Sequence, residues 1–142
     1  EADFELFIVT NQAGIGRGYY TEEQMHAVNK RVATEFAKLG VSFRKIYFAS
    51  EAPDQPSRNR KPSPQMLLDA QLEFGIDLAA SYMVGDKFSD IKCGWNAGVK
   101  CSVLVRTGYG REHELQLGKT TAPPTIIDSI ANLANLILGQ AE

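Results

Sequence analysis

The chain of 142 residues is 44% apolar and 23% charged, with a formal net charge of −2, proportions that suit one globular domain with a sizeable core. Its slight acidity gives no general attraction to nucleic acid or to an anionic membrane, so any anion site must be local. No apolar run reaches the length of a membrane span. Cys93 and Cys101 offer neither a disulfide framework nor a metal-site spacing. Both are expected to be small buried residues of a protein in a reducing, cytoplasmic compartment.

Glu1-Ala2-Asp3-Phe4 reads as the tail of an earlier loop or helix. Phe7-Ile8-Val9 is an apolar run that stops at Thr10, Asn11 and Gln12, followed by Gly14, Gly16 and Gly18. Such a run is a buried strand, and in an open parallel sheet it delivers its last residues to the crevice where ligands bind. Thr21-Glu22-Glu23-Gln24 has the form of a capping box and opens a helix that Gly40 ends. Met25, Val28, Val32, Phe36 and Leu39 recur at helical spacing and are expected to form one buried stripe, with His26 in a structural role. Lys45 to Ala49 is a strand, and Ser50 to Arg60 a polar loop ending in Arg58 and Arg60.

Ser63 and Pro64 start a helix running to about Phe74, which Gly75 stops. Ser81-Tyr82-Met83-Val84 is a short buried strand that ends at Gly85-Asp86-Lys87-Phe88-Ser89-Asp90. A helix from about Ser89 to Ala97 closes at Gly98, and Cys101 to Val105 is the next strand. Arg106 to Pro124 is expected to be mostly loop, with His113 exposed in it. Thr125-Ile126-Ile127 is a last strand, and Ser129 starts a helix carrying Ile130, Leu133, Leu136 and Ile137.

Strands alternating with helices imply an α/β fold with a parallel sheet. The absence of repeats and linkers implies a single domain over 1–142. Thr10 and Asp86 each follow a buried strand, which places them on one edge of such a sheet, and Lys61 can reach that edge from a helix entrance. A hydroxyl with an amide, a basic group and a carboxylate suit phosphoryl transfer. Thr10, Asn11 and backbone N–H groups can donate to phosphoryl oxygens, Lys61 can neutralise charge, and Asp86 can hold Mg2+. None of them is a nucleophile. Taken singly, Lys61 also reads as a solvated lysine, and Asp86 and Asp90 as helix-entrance acids. The glycines do not make a dinucleotide fingerprint, because the third falls one position early, and no Lys-Ser or Lys-Thr follows them as in a phosphate-binding P-loop.

Thr10-Asn11-Gln12-Ala13-Gly14-Ile15-Gly16-Arg17-Gly18, Arg60-Lys61-Pro62-Ser63-Pro64 and Gly85-Asp86-Lys87-Phe88-Ser89-Asp90 resemble the second, third and fourth motifs of haloacid-dehalogenase (HAD) superfamily phosphatases. Within the superfamily they look most like the D-glycero-D-manno-heptose 1,7-bisphosphate phosphatase and histidinol-phosphatase group, from about Phe7 to Gly108. The resemblance implies a Rossmann-like, HAD-like three-layer sandwich. It implies that Thr10 and Asn11 bind the transferring phosphoryl group, that Gln12 and Ala13 line the substrate site, and that Arg60 and Lys87 contact substrate. Lys61 would stabilise the phosphoryl group and the nucleophile, Asp86 would ligate Mg2+, and Asp90 would support the acidic loop from behind.

Two features depart from the group's pattern. Zinc-binding members carry Cys and His residues between the second and third motifs, whereas Ser50 to Arg60 holds neither, so no zinc is expected. The family's Asp-x-Asp pair, nucleophile and general acid, occurs nowhere in the 142 residues. The domain is therefore expected to be incomplete at its amino-terminal side, lacking the first strand of its sheet. The resemblance implies a Mg2+-dependent phosphomonoesterase that removes the C7 phosphate of D-glycero-D-manno-heptose 1,7-bisphosphate through an aspartyl-phosphate. Histidinol phosphate or a polynucleotide 3′-phosphate are alternative substrates, and a phosphate-binding module without a nucleophile is the non-enzymatic alternative. The expected partner is a small phosphorylated substrate, with no nucleic acid or membrane. The pattern shows neither a heptad seam nor an unaccounted apolar face, so it specifies no oligomeric state.

Overall fold

The computed structural model describes residues 4–117 and 123–139, which fall into two compact units, one up to Arg60 and the other from Lys61 onward. The expected tail at Glu1 to Asp3 lies outside the described residues, as does the part of the expected loop at 118–122. Every strand pair is parallel, and the described strands form two sheets.

The first unit contains β1 (Phe7–Asn11), α1 (Ala13–Gly16), α2 (Glu22–Ala37) and β2 (Lys45–Ala49). A parallel pair needs a crossover, which α2 supplies. The register sets Phe7 opposite Lys45 and Asn11 opposite Ala49. The capping box at the head of α2 is formed as expected. Gln24 N–H donates to the Thr21 hydroxyl at 3.1 Å, and Thr21 N–H donates to the Gln24 side chain at 2.9 Å. The glycine-rich stretch contains a single helical turn, α1, which its punctuation hid.

The expected buried stripe on α2 is corrected. Met25 is 3% exposed, but Val28, Phe36 and Leu39 are 63%, 42% and 80% exposed. Leu39 lies beyond the helix end, and Phe36 turns its ring edge-on to Phe43 at 5.2 Å. Periodicity identified the helix, whereas burial depends on what packs against it. The chain thus carries an apolar surface on α2 where the sequence led us to expect none.

The second unit contains α3 (Gln65–Phe74), a 3-10 turn at Leu78–Ala80, β3 (Tyr82–Gly85), α4 (Phe88–Ala97) and β4 (Cys101–Val105). These are followed by α5 (Gly110–Leu117), β5 (Thr125–Ile127), a 3-10 turn at Ile130–Asn132 and α6 (Leu133–Leu138). The sheet order is β3-β4-β5. β4 is its central strand, and Ser102 to Val105 are all buried, the result expected of a strand covered on both faces. Ile91, Leu104 and Leu117 form a buried cluster with Phe88, Trp95 and Ile126 packed against it.

Helix α5 overturns the expectation of a loop over Arg106 to Pro124, and His113 is a half-buried helical residue. Glycines and prolines at both ends masked a helix-forming stretch, which Leu117 anchors by burial. The C-terminal helix begins as a 3-10 turn rather than an α-helix, and Ile130 is exposed. Cys93 is fully buried, donates to the Ser63 carbonyl at 3.2 Å, and burial pushes its thiol up to about 11, which leaves it inert. Cys101 is half-buried rather than buried, with its Sγ 3.2 Å from Thr125 Oγ1. No described helix is long and apolar enough to cross a membrane.

Candidate active site

In the first unit the chain turns at Gln12, whose N–H donates to the Ala49 carbonyl at 2.7 Å, so the end of β1 is tied to the end of β2. The Gln12 amide donates to Thr10 Oγ1 at 3.1 Å and accepts from the Tyr20 hydroxyl at 2.6 Å. Thr10 therefore accepts from Gln12 and retains its own O–H for donation elsewhere. Asn11 is the last residue of β1 and Ala13 the first of α1. Arg60 is half-buried and tied to its own loop. Its N–H donates to Ser57 Oγ at 3.0 Å and its Nη1 to the Glu51 carbonyl at 3.3 Å. The Ser57 hydroxyl in turn donates to the Glu51 carboxylate at 2.7 Å and holds that acid below the usual range. Exposed Arg58 donates to Asn59 at 3.0 Å.

The second unit holds a buried ion pair. Lys61 Nζ lies 2.6 Å from Asp90 Oδ1, with side chains 10% and 7% exposed. Asp90 Oδ2 accepts the Lys87 N–H at 3.0 Å, so both oxygens of a buried carboxylate are engaged. Such a pair is stable only when geometry and additional hydrogen bonds offset the desolvation of both charges. Gly85 makes it possible, because a Cβ there would fall on the Asp90 side chain. The Lys61–Pro62 peptide is cis.

Asp86 sits between β3 and α4, and its Oδ2 accepts the Tyr109 N–H at 3.0 Å. Gly108 adopts φ +61°, a conformation only glycine takes easily, and a Cβ at that position would fall on Asp86 Oδ2. The remaining oxygen, Oδ1, takes no hydrogen bond from a described residue. No group of three or more His, Cys, Asp or Glu residues that could hold a metal ion occurs among the described residues. A single oriented carboxylate oxygen nevertheless fits Mg2+, which binds through one or two carboxylates and keeps water and phosphate oxygens in its other positions. The Lys87 ammonium lies 4.4 Å from the centroid of the Tyr109 ring, and both side chains are exposed.

Of the residues singled out in the sequence, Thr10, Asn11, Gln12, Ala13 and Arg60 belong to the first unit, and Lys61, Asp86, Lys87 and Asp90 to the second. Within the units Thr10 meets Gln12, Lys61 meets Asp90, and Asp90 meets the backbone of Lys87. Sequence reasoning missed Tyr20, which buttresses Gln12 and carries no motif. It also missed Gly108 and Tyr109, for which the dipeptide Thr107-Gly108 at the end of a strand was the one available signal.

The family model described as HAD-hydrolase-like matches residues 58–133. The chain is 40% identical to D-glycero-beta-D-manno-heptose-1,7-bisphosphate 7-phosphatase of Yersinia pestis, over 96% of this chain and 74% of that protein. It is 38% identical to the enzyme of the same name from Escherichia coli K12, over 96% and 73%. Among solved structures it is similar to D,D-heptose 1,7-bisphosphate phosphatase from B. bronchiseptica complexed with magnesium and phosphate. That likeness has a TM-score of 0.88 at 28% identity, over 96% of this chain and 75% of that one.

Proposed function

Because the chain belongs to the HAD-hydrolase-like family of phosphatases and has its α/β fold, we propose that it is the greater part of a Mg2+-dependent phosphomonoesterase domain acting on D-glycero-D-manno-heptose 1,7-bisphosphate at the C7 phosphate. The observation that carries the reading is the buried Lys61–Asp90 pair, whose carboxylate also caps the backbone of Lys87. A lysine fixed in this way can meet an anion without reorganising, which is how preorganised charge stabilises a transferring phosphoryl group. The substrate is argued from the names of the relatives and from the cations Arg60 and Lys87, which exceed what one phosphate needs.

In this mechanism the Thr10 hydroxyl and Asn11 donate to the phosphoryl oxygens, and Gln12 and Ala13 line the substrate. Arg60 and Lys87 recognise the remaining anionic groups. Asp86 would hold Mg2+, which when bound neutralises phosphoryl charge. Asp90 holds Lys61 in place.

The nucleophile and the general acid are proposed to be an Asp-x-Asp pair outside these 142 residues, which contain none. The first carboxylate attacks phosphorus to form an aspartyl-phosphate, while the second gives its proton to the departing sugar oxygen. That second carboxylate then takes a proton from water, which attacks phosphorus and frees phosphate together with the first Asp. A reducing, cytoplasmic setting suits such metabolite chemistry and the two free thiols.

The full-length protein is expected to release phosphate from heptose 1,7-bisphosphate with a kcat/KM about tenfold or more above that for histidinol phosphate or a 3′-phosphorylated oligonucleotide. A preference for either of the latter would replace the proposed substrate. Failure to release phosphate from all three would overturn the reading.

A further inference from the structure

Asp86 and Lys87 are neighbours in sequence, and both converge on one residue of the turn between β4 and α5. Tyr109 donates its backbone N–H to Asp86 Oδ2 at 3.0 Å, and its ring faces the Lys87 ammonium at 4.4 Å. We propose that Tyr109 is a positioning residue for the reaction, with its backbone fixing the Asp86 carboxylate and its ring holding Lys87 for the substrate's anionic group.

The turn that carries Tyr109 is secured on both sides. At its start the Arg106 N–H donates to the Ile127 carbonyl at 3.0 Å, and the Gly110 N–H closes the turn on the Thr107 carbonyl at 3.0 Å. The Arg106 guanidinium grips the Glu114 carboxylate with two bonds of 2.8 Å each and reaches Asp128 at 2.7 Å. These bonds hold Glu114 below the usual acid range. β4, α5 and the segment after β5 therefore fix the Tyr109 backbone before any ligand arrives.

The hydrogen bond to Asp86 is charge-assisted and selects one orientation of the carboxylate, with Oδ1 left to face a ligand. Lys87 needs such help more, because an exposed lysine with four rotatable bonds explores many positions, and the negative face of an aromatic ring favours one of them. The two actions use different parts of Tyr109, so they are separable. A side-chain substitution removes the hold on Lys87 and leaves the amide on Asp86.

The proposal rests on the phosphatase reading, and the test uses the full-length protein. Tyr109→Leu is expected to raise KM for heptose 1,7-bisphosphate about two- to fivefold, with kcat and the calorimetric affinity for Mg2+ unchanged. Tyr109→Phe, which keeps the ring, is expected to restore the wild-type KM. In a Lys87→Met background Tyr109→Leu is expected to add nothing. An unchanged KM in Tyr109→Leu, an equal rise in the Lys87→Met background, or no rescue by Tyr109→Phe overturns the role of the ring.

A second readout is independent of turnover. The Lys87 ε-methylene protons are expected to show an upfield ring-current shift in the wild type and in Tyr109→Phe, and to lose it in Tyr109→Leu. If the wild type hydrolyses no phosphate ester, the phosphatase reading fails, and Tyr109→Leu is then compared with wild type in inorganic phosphate titrations. Weaker phosphate binding together with the lost shift upholds the positioning of Lys87, and absence of either change overturns it.

Discussion

In the full-length protein, Lys61→Met is expected to lower the unfolding free energy by about 3–5 kcal/mol and phosphate release by at least about a hundredfold. The stability effect follows from what the substitution leaves behind. Asp90 is 5% exposed, and without the ammonium 2.6 Å from its Oδ1 it becomes a buried charge with one backbone N–H for company. The activity effect is expected separately, because under the proposed function Lys61 is the preorganised cation that stabilises the transferring phosphoryl group. Adding Asp90→Asn separates the two, because a neutral amide still accepts from the Lys87 N–H and no longer needs a counter-charge. The double variant should recover part of the stability in urea and none of the activity. Wild-type stability in Lys61→Met would mean that the buried pair does not hold this segment.

The second large effect is expected at Asp86. Asp86→Asn keeps a carbonyl oxygen to accept the Tyr109 N–H and replaces the other oxygen by an NH2 group, a hydrogen-bond donor that cannot coordinate a cation. Folding stability should change by no more than about 0.5 kcal/mol, as for a half-exposed residue whose hydrogen bond survives. Mg2+-dependent phosphate release should fall by about a hundredfold or more, and added Mg2+ should no longer raise the melting temperature. A variant that keeps both the activity and the Mg2+ response would show that Asp86 is not the metal ligand.

Much of the chain was legible because its punctuation is strong. The apolar runs at Phe7–Val9 and Cys101–Val105 gave strands close to their observed bounds, and the Thr21–Gln24 capping box gave the start of α2 to the residue. The parts that escaped depend on tertiary contacts. Whether Val28, Phe36 and Leu39 are covered cannot be read from their spacing, and α5 is held by the burial of Leu117 and by the reach of Arg106 to Glu114, eight residues on. The candidate site divided in the same way. Thr10, Lys61 and Asp86 stood out by their place at strand ends and helix entrances, whereas Tyr20 and Tyr109 act through contacts 8 and 23 residues away in sequence that no local pattern announces. Asp90 reads in sequence as a first-turn acid, and only its burial against Lys61 reveals it as the counter-charge of that lysine.

The most direct test of the account is to follow heptose 1,7-bisphosphate by phosphorus NMR with the full-length protein, with Mg2+ present and then removed by chelation. Loss of the C7 phosphate resonance with the C1 phosphate retained, and arrest of that loss on chelation, is the expected result. Loss of the C1 phosphate first, an unchanged rate after chelation, or no loss of either would mean that the protein is not a Mg2+-dependent phosphatase of the C7 position.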